Sequence, residues 1–124
     1  MQNLVENPEN IRVAGTIWIE RADGSERFLG KGRIQLLELI IEQGSISKAA
    51  QAMNMSYKRA WDLITSMNTQ AAKPLVVTQV GGKQGGGASV TDEGVRAINE
   101  YKALQQRFQE FMALETEKLT NRRQ

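Results

Sequence analysis

GSISKAAQAMNMSYKRAWDLITSMN, residues 44–68, is the stretch on which the fold turns. It reads as two short helices joined by a tight turn. Ser47 is the expected N-cap of the first, which runs through Lys48, Ala49, Ala50 and Ala52 to Met53. Asn54-Met55 is the turn. Ser56 caps the second helix, which runs from Tyr57 to about Met67. Serine suits both caps because its hydroxyl accepts a bond from an orphan N–H of the first turn. The alanines leave room for a second helix to cross closely. With Ala60 at the centre of one face of the second helix, Leu63, Ile64 and Met67 fall near it, and Lys58, Asp62 and Thr65 point away. Tyr57 stands at the start; Arg59 and Trp61 lie on the flanks, with Trp61 expected to wedge against the core. This is the outline of a helix-turn-helix, whose second helix enters the DNA major groove.

The segments on either side extend the motif. Upstream, residues 32–43 carry Ile34, Leu37, Leu39, Ile40 and Ile41, a broad apolar stripe for a scaffold helix that ends at Gly44. Downstream, residues 75–80 read as a strand and residues 88–90 as its return. The glycine-rich tip between them holds Lys83 and Gln84. It is not a P-loop, which requires G-x-x-x-x-G-K-[ST] opening a helix; here a strand follows. The hairpin is instead expected to be a wing, with Lys83 making a minor-groove or phosphate contact.

Farther out, Ile11, Val13, Ile17 and Ile19 alternate with Arg12, Thr16, Trp18 and Glu20. Period-two alternation predicts a strand, and Ala22-Asp23-Gly24-Ser25 a turn into Arg27-Phe28-Leu29. Trp18 and Phe28 are the expected anchors of this hairpin. Residues 1–10 are expected to be loose. At the other end Thr91 opens a long helix, with Asp92 and Glu93 in its first turn. Gly94 costs about 1 kcal/mol against Ala there, so close packing, against the scaffold helix, is expected. Ala97, Tyr101, Leu104, Phe108 and Phe111 recur in heptad-like steps. They predict a dimerisation helix, joined in that role by Trp18, with residues 115–124 as a polar, fraying tail.

Composition narrows the function. The 124 residues contain neither Cys nor His. Disulfides, thiolate metal sites and the commonest general base are absent. No enzyme, metal or cofactor is expected. No run approaches the roughly 18–20 apolar residues of a membrane span, and residues 1–10 lack the regions of a signal peptide. The expected compartment is the cytoplasm. The net charge of +2 is uneven: −2 over residues 1–30, +4 over 31–90 and zero over 91–124. Positive charge thus collects on the segment suspected of meeting phosphates.

These motifs resemble a known family. GSIS-x-AA, MSYK-x-AWD, MN, GG-x-x-GGGA and T-x-x-G stand in order over about residues 30–105. They look like the DNA-binding domain of the ModE family of molybdate-responsive bacterial regulators, and more distantly like the winged helix of LysR-type regulators. The resemblance implies a winged helix-turn-helix dimerising through its last helix and adjoining N-terminal segment. It implies DNA contacts from Ser56, Tyr57 and Lys58 and a wing over residues 81–87. The family's C-terminal molybdate-binding barrels have no counterpart up to Gln124, so the chain looks like a short stand-alone form and molybdate binding is not expected.

The expected fold is mainly α with small β: an N-terminal arm and hairpin over residues 1–30, a winged helix-turn-helix over 31–90, and a dimerisation helix over 91–124. The expected function is a homodimeric, sequence-specific transcriptional regulator reading a pseudo-palindromic double-stranded DNA site. Ser47, Lys48, Ser56, Tyr57, Lys58, Arg59, Asp62, Thr65, Lys83 and Gln84 are the candidate DNA-facing residues. Two alternatives remain. One is a winged-helix adaptor that binds protein. The other is an oxyanion-responsive sensor using Lys31 and Arg33, near a helix start.

Overall fold

The computed structural model describes residues 4–79 and 87–120. Within it the chain forms two units. One is Trp18–Tyr101; the other takes the described residues before Trp18 and after Tyr101.

The larger unit is built on α1 (Lys31–Gln43), α2 (Ile46–Ala52) and α3 (Tyr57–Gln70). Ile34, Leu36, Leu37 and Ile40 turn inward from α1, Ile46, Ala49 and Ala50 from α2, and Ala60, Leu63, Ile64 and Met67 from α3. The alanines have the role expected of them: Ala49 and Ala60 are fully buried where helices cross. Ile41 departs from the expected stripe at 53% exposure. It shares the azimuth of Ile34 but lies two turns further along the helix. Leu36, outside that stripe, is fully buried instead.

Gly44 ends α1 in the left-handed region at φ 67°, its N–H bonded to the Ile40 carbonyl. The turn after α2 is a Schellman motif. Asn54 has φ 58°, its N–H donates to Gln51 O, and the Met55 N–H donates to Ala50 O at 3.0 Å. The cap of α2 corrects the sequence reading. Ser45, not Ser47, accepts the Lys48 N–H, because the helix begins two residues earlier, at Ile46. Ser56 caps α3 as expected, accepting the Arg59 N–H at 3.0 Å.

β3 (Val76–Gln79) and β4 (Gly87–Val90) pair antiparallel, from Val76↔Val90 to Gln79↔Gly87. The tip between them, with Lys83 and Gln84, lies outside the described residues. The Ala88 N–H donates to Gly44 O at 3.1 Å, which fastens β4 to the end of α1. α4 (Asp92–Thr120) follows, capped by Thr91 through the Gly94 N–H. Gly94 does sit in a close approach, but not to the scaffold helix. A Cβ there would lie 2.4 Å from both Leu75 O and Val90 Cγ1, at the root of the wing.

The N-terminal strand is much shorter than the alternation suggested. Only β1 (Ile19–Glu20) pairs with β2 (Arg27–Leu29). The return strand is three residues long, so it offers no partner for residues 11–18. The alternation of faces survives without the ladder: Ile11, Val13, Ile17 and Ile19 are half-buried and their neighbours exposed. In the turn, Asp23 accepts the Ser25 hydroxyl and N–H, and these bonds hold its carboxyl below the ordinary range. Leu29, at 3% exposure, and the half-buried Ile19 and Phe28 fix the hairpin to the core. Trp18 does not; it is 41% exposed, under the Arg27 guanidinium at 4.0 Å.

The smaller unit sets an extended segment along the end of α4. The Val13 N–H donates to Thr116 Oγ1 at 2.7 Å, and a Cβ on Gly15 would touch the Phe108 ring at 3.4 Å. Pro8–Asn10 forms a single 3₁₀ turn where a loose start was expected. α4 runs on to Thr120, so most of the expected fraying tail is helical, with Lys118 paired to Glu115.

Candidate nucleic-acid interface

Once Ala60, Leu63, Ile64 and Met67 are buried, helical geometry leaves the opposite face of α3 in solvent. Tyr57, Lys58, Arg59, Asp62 and Thr65 are all exposed there, together with Ser56 at its N-terminus. Ser47 and Lys48 are exposed on the first turn of α2. Every described residue expected to face DNA is therefore at the surface. The start of α3 also presents the positive end of its dipole.

A cavity of about 490 Å³ opens between the starts of α2 and α3 and the base of the wing. Ser45, Ser47, Tyr57, Trp61, Thr78 and Gln79 line it. Its wall is mostly hydroxyl, amide and aromatic ring, groups that bond base edges and sugar-phosphate oxygens or pack against them. Trp61 corrects the sequence reading: it does not wedge against the core. It is 42% exposed and stacks on Tyr57, with ring centroids 6.4 Å apart and planes 13° from parallel. Spacing explains this, since residues four apart meet on one helix face. Thr78 and Gln79 were not singled out from sequence. Their only signal was their place in the strand read over residues 75–80, in which Val76 is buried and Val77, Thr78 and Gln79 are all exposed.

Lys58 is tied to Asp62 at 2.9 Å. Both ends are exposed, so the pair itself adds at most about 1 kcal/mol. Its effect is to hold the ammonium along the helix. Arg59 has no carboxylate partner among the described residues.

The expected dimerisation stripe divides between the units. Tyr101 is 2% exposed in the core of the larger unit, and Ala97 packs against that core. Tyr101 is thus a core residue, not an interface one, and burial raises its pKa. Leu104 and Phe108 are half-buried; Phe111 and Leu114 are 54% and 53% exposed.

Among the described residues no group of three or more acidic, His or Cys side chains is placed to hold a metal. No helix is long and apolar enough to cross a membrane.

A three-helix core with an exposed, cation-bearing third helix and a paired hairpin behind it defines a winged helix-turn-helix protein. Residues 32–95 match the bacterial regulatory helix-turn-helix protein family of lysR type, and the chain belongs to that family. Within it, the winged helix is of the ModE kind. The chain is 46% identical over 91 residues to the molybdenum transport protein ModE of Azotobacter vinelandii, covering 73% of this chain and 34% of that one. It is 46% identical over 79 residues to the DNA-binding transcriptional dual regulator ModE of Escherichia coli K12, covering 64% and 30%. The chain spans about a third of the length of these relatives. Its fold is also similar to that of a ZitR variant from Lactococcus lactis, with a TM-score of 0.50 at 15% identity over 88% of this chain and 72% of that one.

Proposed function

We infer that the protein is a sequence-specific DNA-binding transcriptional regulator and that it works as a homodimer. The observation that carries the reading is the outward face of α3, where Tyr57, Lys58, Arg59 and Thr65 are exposed beside a cavity backed by the wing. In this reading α3 enters the major groove, N-terminal end first. Tyr57 and Thr65 meet base edges and sugars, Lys58 and Arg59 meet bases or phosphates, and the wing reaches the flanking backbone.

The homodimer rests on the smaller unit. An extended segment and one helix make a thin core, in which Met112 is the one side chain below a tenth exposed among the described residues. Phe111 and Leu114 leave apolar surface on the same helix. A second copy packed on that surface would complete the core. It would also present two α3 helices to a two-fold symmetric site.

Selection of bound duplexes from a random library tests both parts. The expected result is an enriched motif with inverted half-sites about one or two helical turns apart. Enrichment of no motif would overturn sequence-specific reading. A single, unrepeated half-site would overturn the dimer.

A further inference from the structure

A second cavity, of about 240 Å³, lies on the other flank of α3 and has a different chemistry. Arg27, Lys31, Arg33 and Arg59 line it, over a floor that includes Met53 and Met55. These cations come from three elements: β2, α1 and α3. Elsewhere Arg21 pairs with Asp23, Lys58 with Asp62, Arg96 with Glu93 and Glu100, and Lys118 with Glu115. The four around this cavity have no ion pair among the described residues.

Arg27, Lys31 and Arg59 are exposed, whereas Arg33 is half-buried. Arg33 is pinned: its Nη1 donates to Arg27 O at 2.8 Å and to Ser66 Oγ at 2.9 Å. The Ser66 hydroxyl donates in turn to Glu26 Oε2. The remaining guanidinium N–H groups of Arg33 have no acceptor among the described residues. Burial lowers the Arg33 pKa; the nearby Glu26 carboxylate opposes that, and Arg59 and Arg27 add smaller lowering contributions. The same cavity takes in the start of α1. Gly30 stands at the N-cap and supplies no side-chain cap. The N–H groups of Lys31, Gly32 and Arg33 have no acceptor within the helix. A Cβ on Gly32 would meet nothing within 4 Å. Open space, uncapped amides and unpaired cations therefore coincide.

The geometry points to an anion site that takes one phosphate group, held by the uncapped amides of α1 and by Lys31, Arg33 and Arg59. Helix N-termini and guanidinium forks are the two protein groups best matched to phosphate oxygens. The phosphate is either one of bound DNA, beside the reading helix, or free in solution. The site shares Arg59 with the DNA-facing surface, and only the first of these sources rests on the DNA reading.

The test titrates the whole chain with inorganic phosphate at constant ionic strength and follows backbone amide resonances. Saturable shifts centred on Lys31, Gly32 and Arg33 are expected. Lys31→Gln should weaken binding roughly three- to tenfold. Gly32→Asp places a resident carboxylate at the helix start. It should abolish phosphate binding while raising the melting temperature in phosphate-free buffer, which separates loss of the site from loss of the fold. The source follows from the salt dependence of DNA affinity. A Lys31→Gln slope smaller by about one assigns the phosphate to DNA. An unchanged slope with saturable phosphate binding assigns it to a free anion. Shifts that are linear in phosphate and spread over all basic residues would overturn the site.

Discussion

The side chain of Asn68 bonds both backbone groups of Val76. Its Oδ1 accepts the Val76 N–H at 3.2 Å and its Nδ2 donates to the Val76 carbonyl at 3.0 Å; Oδ1 also accepts the Leu75 N–H at 2.8 Å. One amide thus stands in for a strand partner at the root of β3 and ties the wing to the last turns of α3. Asn68→Ala strands part-buried backbone groups and should cost about 1–3 kcal/mol in urea unfolding. Asn68→Asp keeps the acceptor and loses the donor, so its loss should be smaller at low pH, where the carboxyl regains an O–H. Equal stability of wild type and Asn68→Ala would contradict this account of the wing root.

The two serines at the start of α2 should behave differently. Ser45 accepts the Lys48 N–H, whereas Ser47 is exposed within the first turn. Ser45→Ala should lose about 1 kcal/mol of stability. Ser47→Ala should lose almost none, but should weaken DNA affinity if Ser47 touches a phosphate. Thermal melts and fluorescence anisotropy of the two variants separate the roles.

Gly94 is fixed by contact, not by its backbone angle. A methyl group there meets a backbone oxygen and a branched side chain at 2.4 Å, and the backbone oxygen already accepts the Thr91 N–H. Gly94→Ala gains helix propensity of about 1 kcal/mol but overpacks the wing root. The expected net result is a loss of about 1–3 kcal/mol in chemical denaturation. A stabilised variant would mean that α4 is free to move off β3 and β4.

How far the fold was legible follows from where its signals are local. The Ser56 cap, the Gly44 stop and the Asn54 turn are decided within a few residues, so the helix-turn-helix could be read directly. The long N-terminal strand could not. Alternation marks which face is buried but not what buries it, and Val13 is held by Thr116, 103 positions away. Tyr101 shows the same limit from the other side. Its spacing matches Leu104 and Phe108, yet it packs into the larger unit because the helix passes that core first. At the interface, exposure of the α3 face follows from periodicity alone. The Arg33–Ser66–Glu26 chain does not, since it needs α1, α3 and the hairpin turn brought together.

Asp62 restrains Lys58 and places a negative charge on the face proposed to meet DNA. Asp62→Ala should therefore raise affinity for arbitrary duplexes at low salt, by freeing the ammonium and removing a repulsion. Discrimination between the selected site and arbitrary DNA should fall if Asp62 also accepts a base amino group. Anisotropy titrations with both duplexes over a salt series would show this. A variant with weaker non-specific binding would indicate that the pair serves the helix and not the interface.

Tyr101 and Phe111 separate a core residue from a residue of the proposed dimer surface on one helix. Tyr101→Ala opens a cavity in the larger unit and should cost about 3–5 kcal/mol of stability. Phe111 is 54% exposed and Leu114 53%, so the double change Phe111→Ser with Leu114→Ser removes little from the protomer's own core. If a second copy covers that surface, the double variant should shift sedimentation equilibrium toward monomer. Its affinity for a two-half-site duplex should drop while that for a single half-site holds. A dimer that survives the double change would place the self-association surface elsewhere on the chain.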